Sequence, residues 1–269
     1  MDLPLVISAD QLATELNNPN LLIIDLSSPE NYQAGHIPGA ISVAPSVLLR
    51  GSGDVPNKIP QASQLTQLFS SVGLSNTTHV IVYDDQMGPL AGRMIWTLHC
   101  TGHFNCSFLD GQLNSWKAAK LPLETQTNTP QPTDFQASIN PDYLADVDYI
   151  KDHLNQTDHI VLDVRSEPEY RGEKIINAKK GGHIPGAVNY EWTRALMSGD
   201  DLKLRPADEI RAELAALGVT ADKTLITHCQ THRRSGLSYL FTKHLGFEKV
   251  RCYDGSWFEW GNLEDTPVE

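Results

Sequence analysis

The chain is written twice, and that limits what it can fold into more than any other feature. Residues Gly35-His36-Ile37-Pro38-Gly39-Ala40 recur as Gly182-His183-Ile184-Pro185-Gly186-Ala187. Upstream, Leu22-Ile23-Ile24-Asp25-Leu26 is answered by Ile160-Val161-Leu162-Asp163-Val164. Downstream, Val80–Asp84 is answered by the run ending at Cys229. Asp110-Gly111 with Trp116 is answered by Asp254-Gly255 with Trp260. Such matches in one order mark a duplication, and the period is too long for a solenoid. Two similar domains are therefore expected. Between them, Pro122 to Thr133 is polar, Pro-rich and without apolar period, and reads as an extended linker. The expected division is 1–121, linker 122–140 and 141–269. The second copy carries extra residues, Gly172 to Gly181, with three lysines. They read as a solvated loop, with a lip facing substrate or partner as the alternative.

Within each copy, short β-branched runs alternate with helical spacing. The strand candidates are 21–25, 80–83, 160–164 and 225–228. Pro89 opens a helix through His99 that Gly102 stops. Ile210, Leu214 and Leu217 mark a second helix. Leu237, Leu240, Phe241 and Leu245 mark a third, which Ser235 is placed to cap and Gly246 to end. This alternation predicts an α/β fold in which each domain is a mostly parallel sheet flanked by helices. Sites in such folds lie at the carboxyl ends of strands.

Cys229 stands at that kind of end, in Thr227-His228-Cys229-Gln230-Thr231-His232-Arg233-Arg234-Ser235. A lone cysteine is commonly a small buried hydrophobe, but one set among two arginines and two histidines is rarely structural. Helix-start N–H groups and nearby cations both favour a thiolate. Comparison of the copies points the same way. Asp25/Asp163, His36/His183 and Pro38/Pro185 are shared, so they read as fold residues. Asp84 stands where the second copy has Cys229, its loop lacks basic residues, and Ser27 stands where the second copy has Arg165. The nucleophile and its cations belong to the second copy, and the first reads as a scaffold along one side of the cleft.

The formal charge of -12 argues against nucleic acid and anionic membranes as partners. Against that background, a local basic loop suggests a small anion as ligand. Four cysteines without a CxxC pair make neither a disulfide scaffold nor a zinc ribbon. His228, Cys229 and His232 match no standard metal spacing, so no metal or cofactor is expected. Met1-Asp2-Leu3-Pro4 shows no signal peptide, and the cytoplasm is the expected location. Phosphatase or arsenate reductase chemistry of the Cys-x5-Arg type is the rival enzyme reading. There an arginine stands six positions after the cysteine, where this chain has Ser235.

These residues resemble the rhodanese (thiosulfate sulfurtransferase) family in its tandem-domain form, over nearly the whole chain. Asp163, Arg165, Glu169, Tyr170 and Gly182–Ala187 match its domain signature, and Cys229 and Arg234 the first and last positions of its active loop. Gln230 stands where the family often has arginine, and His232 where it often has glycine. The loop is similar to a bacterial subgroup with Cys-Gln-Thr-His at this point. The resemblance implies two rhodanese-like α/β domains, the second catalytic, with Cys229 taking a sulfur atom as a persulfide. The implied donor is a small anion such as thiosulfate, with 3-mercaptopyruvate as the alternative. The implied acceptor is cyanide, a thiol or a protein. Gln230, Thr231, His232, Arg233, Arg234 and Arg165 are then the expected substrate-binding residues.

Overall fold

The computed structural model describes residues 3–199 and 202–269. In the first half, the strands β1 (Val6–Ile7), β2 (Leu21–Asp25), β3 (Ile41–Ser42), β4 (His79–Tyr83) and β5 (Cys106–Leu109) form a sheet in the order β1-β5-β4-β2-β3. In the second half, β6 (Leu144–Ala145), β7 (His159–Asp163), β8 (Val188–Asn189), β9 (Thr224–His228) and β10 (Val250–Tyr253) repeat that order as β6-β10-β9-β7-β8. Every ladder is parallel. A parallel sheet needs cover on both faces, and β4 is accordingly buried along its whole length. The sequence repeat is thus a structural repeat, and the expected strands and helices are present with ends shifted by a few residues.

The repeated motif serves the fold. His36 stacks on Tyr32 at 3.6 Å between centroids and His183 on Tyr170 at 3.7 Å. The tyrosine hydroxyls donate to the carbonyls of Ala40 and Ala187, closing the same turn in each half. The shared aspartates end β2 and β7 opposite Tyr83 and His228, the residues just before Asp84 and Cys229.

The halves join through two helices, Pro89–Cys100 and Arg234–His244, each following one of those two loops. They cross at glycines: a Cβ on Gly92 would lie 2.5 Å from the Gly236 carbonyl carbon. Only glycine permits that approach. Met94, Trp96 and Leu98 thereby share one core with Tyr239, Leu240 and Phe241. Each half also extends an arm to the other. The Ile59 N–H donates to Asp254 Oδ2 at 2.7 Å, and the Leu204 N–H to Asp110 Oδ1 at 2.8 Å. The connecting segment lies along the first half, where Asn128 donates to the Ala40 carbonyl and Phe135 packs edge-on against Phe69. No helix among the described residues is long and apolar enough to cross a membrane.

Candidate active site

The loop after β9 is bent into a nest by bonds on its outer side. The Cys229 carbonyl accepts from the Trp257 N–H at 3.0 Å and the Gln230 carbonyl from the Phe258 N–H at 2.9 Å. The His232 carbonyl accepts from Arg93 at 2.8 Å. Arg93 belongs to the first half and is itself buried. His232 takes the left-handed conformation, φ 54°, that turns the chain back toward the helix. With its carbonyls tied outward, the loop presents N–H groups inward, which is an anion site. The Ser235 hydroxyl lies 3.5 Å from the Cys229 sulfur, and the Thr231 and Ser235 N–H groups favour negative charge on it.

Burial works against a charge on Cys229, which is 1% exposed. Arg234, the Ser235 hydroxyl and the two N–H groups outweigh that penalty and hold the thiol below its ordinary value. Burial instead pushes up the thiols of Cys100, Cys106 and Cys252. Of the four thiols, that of Cys229 alone is held below its ordinary value. The first half shows the same nest with a different occupant. The Asp84 carboxylate accepts N–H bonds from Gln86, Gly88, Leu90 and Ala91 at 2.7–2.9 Å. A built-in carboxylate thus fills the equivalent anion site.

Arg234 is held by Glu169 in a two-pronged pair at 2.7 and 2.9 Å, and its charge favours the thiolate of Cys229. Arg233 is exposed, with no partner among the described residues. Thr231 is half-buried in the nest. Three expected substrate ligands are placed otherwise. Arg165 is 2% exposed, paired with Asp163 at 2.6 Å, bonded to the Gly182 carbonyl and stacked over Trp257 at 4.2 Å. It pairs with the aspartate two residues before it, because the guanidinium at a strand end reaches back to that carboxylate. The Gln230 side chain donates to the Ile176 carbonyl at 2.5 Å, so it ties the loop to the extra segment of the second half. His232 is fully buried, edge-on to Trp96 and 2.7 Å from the Ser235 hydroxyl.

The extra residues 172–181 are therefore tied to the site loop and to the end of the chain's last helix. Besides the Gln230 bond, the Lys179 and Lys180 N–H groups donate to the Gly261 carbonyl. Ser235 does not cap its helix, which starts at Arg234 without a side-chain cap. Arg93 and Ser235 are residues at the site to which sequence reasoning assigned no role there. The signal for Arg93 was a lone arginine in the apolar stretch Leu90–Cys100, where a buried cation demands partners.

A duplicated five-stranded parallel sheet with a cysteine in the loop at one strand end defines a tandem-domain α/β protein. The chain belongs to the rhodanese family: the Rhodanese-like domain matches residues 8–119 and 146–263. It is 44% identical to a thiosulfate sulfurtransferase of Azotobacter vinelandii, over 99% of this chain and 97% of that one. It is 41% identical to a thiosulfate sulfurtransferase of Pseudomonas aeruginosa, over 100% of this chain and 98% of that one. A 3-mercaptopyruvate sulfurtransferase of Escherichia coli is 30% identical, over 98% of this chain and 97% of that one. Among solved structures, wild-type EanB shares the fold, with a TM-score of 0.87 at 24% identity, covering 98% of this chain and 69% of that one.

Proposed function

We propose that this protein is a thiosulfate sulfurtransferase working through a persulfide on Cys229. The observation that carries the reading is the pairing of a buried, acidified thiol with a nest of inward N–H groups, in the half that alone has a cysteine at this loop position. The thiolate attacks the outer sulfur of thiosulfate. A bond forms from Sγ to that sulfur, the S–S bond of the donor breaks, and its electron pair leaves with sulfite. The negative charge moves to the outer sulfur of the persulfide. An acceptor such as cyanide or a thiolate then attacks that sulfur, and the Sγ–S electron pair returns to Cys229 as thiolate. No oxidant or reductant beyond donor and acceptor is needed, because the sulfur moves between them at the sulfane level.

Each loop residue has a task in this scheme. The Thr231 and Ser235 N–H groups hold the charge on sulfur. Arg234 acidifies the thiol, and Arg233, exposed and unpaired, meets the donor oxygens. Gln230 ties the loop to the extra segment, while His232 and Arg165 support the loop from behind. The near-complete burial of Cys229 favours a small donor that delivers one sulfur atom. Glu169 neutralises part of the charge on Arg234, which leaves Arg233 as the main attraction for a dianion.

The donor is tested by kcat/KM for thiosulfate and for 3-mercaptopyruvate, with cyanide as acceptor. Thiosulfate should have the higher value, and Arg233→Gly should narrow the gap by about tenfold, the worth of one ionic hydrogen bond. A wild-type preference for 3-mercaptopyruvate would assign the donor to the other relatives' chemistry.

A further inference from the structure

Ser235 stands between the reacting sulfur and a buried histidine. Its hydroxyl lies 3.5 Å from Cys229 Sγ and 2.7 Å from His232 Nδ1. All three residues are closed off from solvent. Burial, with Arg93 and His228 close by, keeps the His232 ring neutral. A neutral imidazole carries one N–H. The charged sulfur is the strongest acceptor within reach of the hydroxyl, so the hydroxyl hydrogen goes to sulfur. Nδ1 must then be the donor to Ser235 Oγ. His232 Nε2 is left with no polar partner, buried in the T-shaped contact with Trp96. A ring in that place has no route to substrate, and its only side-chain hydrogen bond is to Ser235.

We infer that Ser235 is a catalytic residue of sulfur transfer and that His232 is the residue that positions it. The inference rests on the reading that Cys229 carries the sulfur. Its consequence is a division between the two half-reactions. In the persulfide, the charge sits on the outer sulfur, and the hydroxyl has little to bond on Sγ. As the acceptor attacks, the Sγ–S bond breaks and its electron pair returns to Sγ. The Ser235 hydrogen bond therefore strengthens toward the transition state of that step, which is the condition for catalysis. In the donor step the starting thiolate already holds the bond, so its loss costs acidity without weakening the nucleophile.

The test separates the half-reactions. Enzyme loaded with thiosulfate and freed of excess donor is mixed with cyanide in a single turnover. Ser235→Ala should slow thiocyanate release by about tenfold, the value of one hydrogen bond to a charged group. Loading by thiosulfate, well above the thiol midpoint, should change by less than about threefold. The midpoint for alkylation of Cys229 should rise, since the Ser235 hydroxyl is one of the groups that lower it and burial then acts against Arg234 with less opposition. His232→Leu should reproduce the cyanide defect. His232→Asn, whose amide N–H takes the place of Nδ1–H, should restore most of the rate. The double variant Ser235→Ala, His232→Leu should be no slower than Ser235→Ala alone. A wild-type cyanide rate in Ser235→Ala overturns the catalytic role. Additive losses in the double variant, or no rescue by His232→Asn in a protein with wild-type thermal stability, overturn the positioning role. Failure of the underlying reading looks different, because wild-type enzyme would then take up no sulfur from thiosulfate.

Discussion

Arg93→Met is the perturbation that most directly tests how the first half serves the second. The Arg93 guanidinium donates to the Leu48 carbonyl at 2.9 and 3.1 Å, to Asn57 at 2.7 Å and to His232 at 2.8 Å. Burial lowers its pKa to about 10, so it remains charged at neutral pH. Methionine fills the space of the stem but strands three carbonyls in the interior. At about 1–3 kcal/mol per unsatisfied group, partly offset by removing a buried cation, the loss should be about 3 kcal/mol. That is a large part of the ~5–15 kcal/mol that holds a typical domain. The midpoint of urea unfolding measures it. The same variant releases the His232 carbonyl, so the nest relaxes and the Cys229 thiol becomes less acidic. Alkylation by iodoacetamide against pH should show the midpoint moving up. Arg93→Lys keeps the charge but lacks the fork, and should recover stability only in part. A variant Arg93→Met within ~0.5 kcal/mol of wild type, with an unmoved thiol midpoint, would refute the claim that this arginine shapes the nest.

The Glu169–Arg234 pair predicts an acid-sensitive term in stability. Burial opposes the Glu169 charge, but the Arg234 and Ser166 bonds outweigh it and hold the carboxyl at about 2, below its ordinary 4.5. Its contribution, up to ~3 kcal/mol, is present above the ordinary value and lost as pH falls through the depressed one. The urea midpoint of Glu169→Gln should thus lie well below wild type at about pH 7, with the gap roughly halved at about pH 3, and an equal gap at both would sink this assignment. In the first half, Asp84→Cys in a Cys229→Ala background places a thiol in the other nest, among Asp85, Gln86, Met87, Gly88 and Pro89. It should transfer no sulfur, for want of a cation, and thiocyanate production by that variant would mean that backbone N–H groups alone suffice.

The parts of this structure legible in the sequence are those written in local patterns. The Gly-His-Ile-Pro-Gly-Ala repeat announced the duplication because the turn it builds needs the same residues each time. The four central strands stood out because strands buried on both faces read as apolar runs. Cys229 stood out because its neighbours are charged and its counterpart is Asp84. What was not legible depends on packing between distant segments. Arg234 reaches Glu169, and Gln230 reaches Ile176, only once the second sheet has formed. Arg93 meets the nest because Gly92 and Gly236 let two helices touch, which neither half announces by itself. Sequence places Ser235 at a helix cap, its commonest use, yet it lies inside the helix with its hydroxyl against His232 and Cys229, residues brought there only by the folded loop. Arg165 was placed at the substrate because it is special to the catalytic half, yet it carries its own buried partner two residues away.

The sulfur itself can be weighed. Purified protein incubated with thiosulfate and desalted should gain the mass of one sulfur atom, localised by peptide mapping to the segment containing Cys229. Cyanide should remove that mass and yield an equal amount of thiocyanate, and Cys229→Ala should show neither event. Sulfur found on Cys100, Cys106 or Cys252, or thiocyanate formed by Cys229→Ala, would contradict transfer through the Cys229 nest.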